Sequence, residues 1–289
     1  MHATLFLPWF QAHEIRIPLP GGAYLPIQPF GVLVATGVLL GYRLAEWRAK
    51  KLGVSQAVLA DLVAHVLFSG FISAHVLDAI FYHPDEIRRN PLYIIQLWKG
   101  ISSYGGFFGA IGGAILWRVR RKTSLLAVGD IIVWAFPLGW LFGRLGCFSV
   151  HDHPGIVTEF PLAVYPYEIG PEPFQARHDL GFYEVLFSLA VIPIFLYLGR
   201  KPTRPGLFMG LLPALYGPVR FFLDFLRVKP EEFGEEADPR YLGLTPGHYG
   251  SILLFLIGVA VIVFVYARPP IQLPKEALAP PPDPPKRKR

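Results

Sequence analysis

Seven long apolar runs dominate this chain, at roughly 27–43, 58–81, 103–117, 125–149, 181–198, 206–226 and 248–267. A bilayer core is crossed by about 20 mostly apolar residues per helix, and inside lipid the backbone polar groups must be satisfied within the segment. The pattern predicts an all-α, polytopic membrane protein with seven transmembrane helices. Charge agrees: only 17% of the 289 residues are charged, against about 25% in an ordinary soluble domain. The 29 prolines and 29 glycines are spread among the apolar runs, which excludes a low-complexity disordered chain. A single cysteine excludes a disulfide framework and any multi-cysteine zinc or iron–sulfur site. The third run is short and carries Gly105, Gly106, Gly109, Gly112 and Gly113, small residues that let membrane helices approach closely.

The segments between the runs alternate in charge. Residues 43–54, 118–123, 199–205 and the stretch from Arg268 hold seventeen of the 27 basic residues, and the other connecting segments hold eight. Under the positive-inside rule this places the N-terminus outside and the C-terminus in the cytoplasm, which an odd number of spans requires. The first run has no basic segment before it and basic residues after it, so it reads as a retained first helix rather than a signal peptide. Residues 1–268 form the seven-span domain. Residues 269–289 form a Pro-rich basic cytoplasmic tail, ending Lys286-Arg287-Lys288-Arg289, which cannot pack as a helix. Topology thus accounts for the net charge of +6, and no nucleic-acid partner is called for.

Two basic residues fit neither side: Arg144 in the fourth run and Arg220 in the sixth. A charge at bilayer depth costs at least about 2.5 kcal/mol and normally faces the bundle interior with a partner. Each stands six residues before the outer end of its run, a depth of roughly 9 Å at the helical rise. Two guanidiniums at matched depth suit one anion, because their planar forks grip phosphate in bidentate fashion. The competing reading is that structural carboxylates neutralise each arginine. Tyr216, Arg220 and Asp224 make a polar stripe at four-residue spacing. Asp61, His65, Asp78, Asp130 and Glu184 are the other polar groups within the runs. Glu184, near His178 and Tyr183, lies at a depth where it can pair with an arginine. No HExxH or comparable metal-ligand spacing occurs.

Leu141-Phe-Gly-Arg-Leu-Gly-Cys-Phe148 resembles the signature of the bacterial prolipoprotein diacylglyceryl transferases, roughly G-R-x-G-N-F followed by an acidic residue and a Gly. Four further segments resemble that family in the same order. They are Phe81-Tyr-His-Pro84 through Trp98-Lys-Gly-Ile-Ser-Ser-Tyr-Gly-Gly-Phe107, then Arg177-His178 with Tyr183-Glu184, then Tyr216 to Arg227, then Thr245 to Ser251. The resemblance implies transfer of the diacylglyceryl group from phosphatidylglycerol to the lipobox cysteine thiol of a preprolipoprotein, at the outer face of the bacterial inner (plasma) membrane. It implies no metal and no cofactor. Arg144 and Arg220 would hold the phosphate. Gly146, Tyr216, Glu184, Gly105 and Gly106 would line the substrate site with them, and Asp224 would orient Arg220. The apolar spans would hold the acyl chains and the acidic outer loops would meet the signal-peptide region.

Three positions depart from the family pattern. Tyr104 stands where the family has the histidine usually credited as general base, Cys147 replaces the signature's Asn, and Asp224 replaces a Glu. An unperturbed tyrosine titrates near 10 and is a poor base at neutral pH. Either His151 or His153, beside Asp152 at the outer mouth, supplies the base, or the chain is a divergent homologue that binds the phospholipid without catalysis or with another acceptor. A transporter would show internal repeats around a midplane site; no repeat is visible, and the polar cluster lies in the outer third.

Overall fold

The computed structural model describes residues 6–22, 24–97, 99–168, 173–229, 232, 239–273 and 277–278, without the side chains of Ser103 and Tyr104. The chain is mostly helical: α1 (Pro29–Lys51), α2 (Gln56–Tyr82), α3 (Pro84–Arg89), α4 (Ser103–Arg121), α5 (Leu125–Val150), α6 (Leu180–Leu198), α7 (Leu207–Asp224) and α8 (Pro246–Tyr266). Six of these, α1, α2, α5, α6, α7 and α8, are long and apolar enough to cross a membrane. Their outward faces leave Phe68, Phe222, Leu253 and Val263 exposed, a surface suited to lipid and not to water. This is a multi-pass membrane protein. The third predicted run forms α4, whose last turn carries Arg118, Arg120 and Arg121 and whose glycines make it less apolar than the other six.

The all-α expectation is corrected by two small sheets. β1 (Leu7–Pro8), β5 (Val164–Tyr165), β6 (Arg177–Asp179) and β4 (Pro154–Val157) form one, in the order β1-β5-β6-β4. In it β1 runs parallel to β5, and β6 pairs antiparallel with both β5 and β4. A separate hairpin joins β2 (Ile15–Pro18) and β3 (Tyr24–Ile27). With two to four residues each and prolines among them, these strands leave no alternating pattern to read.

The chain forms two compact units. One comprises residues 46–132 and 270–289, and its centre is the packing of α4 on α2. Gly105, Gly109 and Gly113 recur every four residues along one face of α4, and a Cβ at each would collide with the α2 carbonyl oxygens of Ser73, Ser69 and His65. The glycines here are the condition for close helix approach. Asp61 of α2 accepts hydrogen bonds from Trp117 Nε1 at 2.8 Å and from Arg121 Nε and Nη2 at 2.8 and 3.0 Å, a bidentate grip between the two helices. His75 is buried, with its ring nitrogens against the carbonyls of Gly100 and Tyr93 at 2.8 and 3.1 Å. Ala277 is buried and its carbonyl accepts from Ser55 N. The closing Lys-Arg run of the predicted tail lies outside the described residues.

The other unit comprises residues 1–45 and 133–269 and contains the sheets with α6, α7 and α8. Prolines stand inside α5, α6 and α7 at positions 137, 193, 213 and 218, as membrane helices tolerate when neighbours re-satisfy the freed backbone groups. Trp134 Nε1 donates to the Phe195 carbonyl at 2.6 Å, joining α5 to α6 next to Pro193. Thr245 caps α8, with a reciprocal box in which its hydroxyl and the His248 ring each take a backbone N–H of the other; this satisfies donors that a helix start otherwise orphans.

Candidate phosphate site

Glu184 lies in the first turns of α6 and is fully buried. Its two oxygens are divided between two helices. Oε2 stands 2.8 Å from Arg144 Nε of α5, and Oε1 accepts from Arg220 Nη1 of α7 at 3.1 Å. The Tyr216 hydroxyl, one turn before Arg220, donates to Oε2 at 2.8 Å. The two arginines left over from the charge pattern therefore meet around one carboxylate. Arg144 also lies 4.3 Å from the centre of the Trp140 ring, in cation–π contact.

Asp224, at the end of α7, holds the other side of the cluster. It is buried and lies 2.8 Å from Arg220 Nη2 and 3.2 Å from Arg227 Nε. The Thr245 hydroxyl donates to its Oδ2, and His248 Nδ1 is 3.4 Å from the same oxygen. The α8 cap and the arginine cluster thus share a residue. Gly247 is required there, because a Cβ would fall 2.7 Å from the Asp224 carboxylate.

Arg144, Arg220 and Arg227 contact two buried carboxylates, Glu184 and Asp224. Each arginine has a carboxylate partner, and each carboxylate is shared between two arginines. The buried Arg144 Nε has no acceptor in line with its N–H despite the nearness of Glu184, so this fork has hydrogen-bonding capacity to spare.

The histidines at the mouth divide into two roles. His151 follows the end of α5 in the left-handed region at φ 51°, uncommon for a residue with a Cβ. Its position is over-determined. Nδ1 is 2.6 Å from Asp179 Oδ2, Nε2 is 2.6 Å from the Phe10 carbonyl, and the ring stacks on Trp9 at 4.2 Å. The ring is fully buried, and both nitrogens face acceptors within the protein rather than a substrate. The same Asp179 caps α6 through its other oxygen, at 2.9 Å from Phe182 N.

His153 lies on the far side of that turn. Burial, and then the fields of Arg144, Arg227 and Arg220, hold its ring down at about 3. It is therefore neutral at ordinary pH and a weak base. Asp152 reaches solvent along one edge, yet desolvation of the rest pushes its carboxyl up to about 6 against the pull of Arg144. Pro154–Val157 then runs against 226–228, with Ile156 N donating to the Leu226 carbonyl at 2.8 Å. Only glycine fits at 155: a Cβ would sit 2.6 Å from His178 Cβ and 2.8 Å from the Leu226 carbonyl. This close approach is what brings the mouth loop against Arg227.

Of the predicted site residues, Arg144, Tyr216, Arg220, Glu184 and Asp224 come together as described. Gly146 faces α1, where a Cβ would meet the Phe30 ring at 2.8 Å, so it serves helix packing. Gly105, a close-contact position on α2, and Gly106 belong to the other unit. Tyr104 is in the first turn of α4, and its side chain lies outside the described residues, as does Trp98. Arg227, Thr245 and His248 fall in segments that resemble the family but were given no site role from sequence, and Asp179 was not named. The signal for Arg227 was present in its three-residue spacing from Asp224.

The fold and this cluster define a multi-pass membrane protein in which arginines and buried carboxylates join α5, α6 and α7. Residues 22–264 match the prolipoprotein diacylglyceryl transferase family, and the chain belongs to that family. Relatives named phosphatidylglycerol–prolipoprotein diacylglyceryl transferase include one from Chromohalobacter salexigens, 30% identical over 83% of this chain and 88% of its own length. One from Idiomarina loihiensis is 32% identical over 68% and 74%, and one from a Janthinobacterium is 28% identical over 88% and 98%.

Proposed function

We propose that this chain transfers the diacylglyceryl group of phosphatidylglycerol to the lipobox cysteine of a preprolipoprotein. The acceptor sulfur, as thiolate, attacks the glyceryl carbon bonded to phosphate oxygen. The C–S bond forms as the C–O bond breaks, and glycerol phosphate leaves with the electron pair. The step needs positive charge where the leaving phosphate gathers its second negative charge, and preorganised donors there are worth several kcal/mol.

Arg144 and Arg220 hold that phosphate. Glu184 keeps the two guanidiniums at one spacing, Tyr216 fixes Glu184, and Asp224 fixes Arg220. The observation that carries this reading is the division of the single buried Glu184 carboxylate between the two arginines. The protein sits in the bacterial inner membrane with seven spans, α4 included, its N-terminus outside and its C-terminus in the cytoplasm. The charge alternation and the placement of the cluster near the ends of α5 and α7 support that orientation.

The test is complementation. The chain is expressed in bacteria depleted of their own transferase, and modification of lipobox cysteines is followed by gel shift. Modified lipoprotein is expected. Good expression with no modified lipoprotein would mark the chain as a lipid-binding homologue without this activity.

A further inference from the structure

One of the positions that set this chain apart from its family, Cys147, meets two residues of the following loop. Cys147 is in the last turn of α5, and the left-handed turn at His151 folds Asp152 and His153 back over it. The thiol sulfur, a carboxylate oxygen of Asp152 and a ring nitrogen of His153 all lie within 4.8 Å of one another. Two observations make this more than a chance cluster. His153 Nδ1 is shielded from solvent and has no hydrogen-bond partner, although Asp152 Oδ1 is only 3.8 Å away. The Cys147 sulfur is buried and accepts from Arg144 Nη1 at 3.8 Å, which fixes its direction.

We propose that Cys147, Asp152 and His153 bind one zinc ion, whose fourth position receives the acceptor cysteine as its thiolate. The ligand types choose the metal: one sulfur, one nitrogen and one oxygen suit a borderline-soft ion, whereas magnesium and calcium take oxygen. Bond lengths of about 2.0–2.3 Å in a tetrahedron separate ligand atoms by about 3.3–3.8 Å, so donors already within 4.8 Å of one another reach that spacing by small side-chain shifts. Three protein ligands leave one position open, as in zinc sites that act on substrates. Asp152 and His153 give that position access, with side-chain exposures of 42% and 25%.

The part of this inference that concerns the acceptor rests on the transferase reading. Zinc deprotonates a thiol that binds it, so the acceptor proton goes to solvent on coordination. The bound sulfur then attacks the glyceryl carbon, and glycerol phosphate departs as before. No redox change occurs. This supplies the acid–base work that Tyr104, at the family's histidine position, cannot do near neutral pH. The electrostatics also close: the Cys147 thiolate and the Asp152 carboxylate cancel the ion's charge. Arg144 and Arg220 keep their role toward the phosphate.

The test uses the full chain purified in detergent, stripped with chelator and titrated with zinc or cobalt. Wild type is expected to take up close to one zinc, and its cobalt form is expected to show a sulfur-to-metal charge-transfer band. Affinity should fall at least about 100-fold in Cys147→Ser and in His153→Gln, and stay unchanged in His83→Gln, an exposed histidine of the other unit. The cobalt spectrum tests the wild-type site even if a variant folds poorly. Transfer to a lipobox peptide should be lost on stripping and return with zinc. No bound metal, or binding equal in the ligand variants, overturns the site. Bound zinc with transfer unchanged after stripping overturns its role. Zinc bound by these residues with no transfer under any condition leaves the site standing and removes the transferase reading instead.

Discussion

Glu184 Oε2 stands 2.8 Å from Arg144 Nε, and the carboxylate has no solvent exposure. A buried charge pair of this kind is weak evidence for stability against an apolar pair, but breaking it leaves a stranded charge that costs about 3–5 kcal/mol. Glu184→Ala strands Arg144 and leaves Arg220 with Asp224 alone. We expect it to lower the melting temperature of the detergent-solubilised protein sharply, with Glu184→Gln intermediate because the amide still fills the space. Thermal melts of the two variants check the order; equal melting of all three proteins would mean that the carboxylate does not hold the cluster.

His151 and His153 should separate when each is changed alone. His151→Ala removes a buried ring from Trp9 and takes the closest partner from Asp179 Oδ2, a loss of about 2–4 kcal/mol. His153→Ala removes a quarter-exposed side chain and should leave melting nearly unchanged while transfer falls. Denaturant melts together with initial transfer rates tell them apart. The reverse pattern would place the chemistry on His151.

Gly155→Ala should behave as a loop-register variant. Its Cβ would meet His178 and the Leu226 carbonyl, and overpacking of that kind costs about 1–3 kcal/mol. The strain falls where the mouth loop meets Arg227, so transfer should fall by more than the melting temperature suggests. A variant with wild-type kinetics would show that the approach of 154–157 to 226–228 is not needed.

Gly109→Ala is the corresponding test of the other unit. The new methyl would collide with Ser69 and Gly70 of α2. Stability should drop by about 1–3 kcal/mol, whereas Gly112→Ala, where a Cβ meets nothing within 4 Å, should be neutral or slightly stabilising. Melts of the two variants give the comparison, and equal effects would argue against the tight α2–α4 contact.

The legibility of this molecule follows from where polarity is costly. Arg144 and Arg220 stood out because a charge in an apolar run requires a partner, and Glu184 stood out for the same reason. Asp179 and Arg227 did not, because they lie in connecting segments where charge is ordinary and only the tertiary fold gives them work. Cys147, Asp152 and His153 carry no recognised ligand spacing. Their convergence depends on a left-handed turn at His151, which a sequence does not announce when the residue is not glycine. The short strands at 154–157 and 177–179 were hidden for a similar reason: they are paired by neighbours distant in sequence and have no period of their own. Close helix contact at Gly105 was legible, but its placement in the substrate site rested on family resemblance alone.

The central claim is that Arg144 and Arg220 together hold the phosphate of the departing group. The most direct measurement is the initial rate at which the purified chain, in phosphatidylglycerol vesicles, forms a thioether on a lipobox peptide, read by mass spectrometry. Lysine keeps the charge and loses the bidentate fork, so Arg144→Lys and Arg220→Lys should each slow transfer by about 100-fold or more, while Lys99→Ala changes it little. Wild-type rates in either arginine variant, or losses no greater than that of Lys99→Ala, would contradict the account.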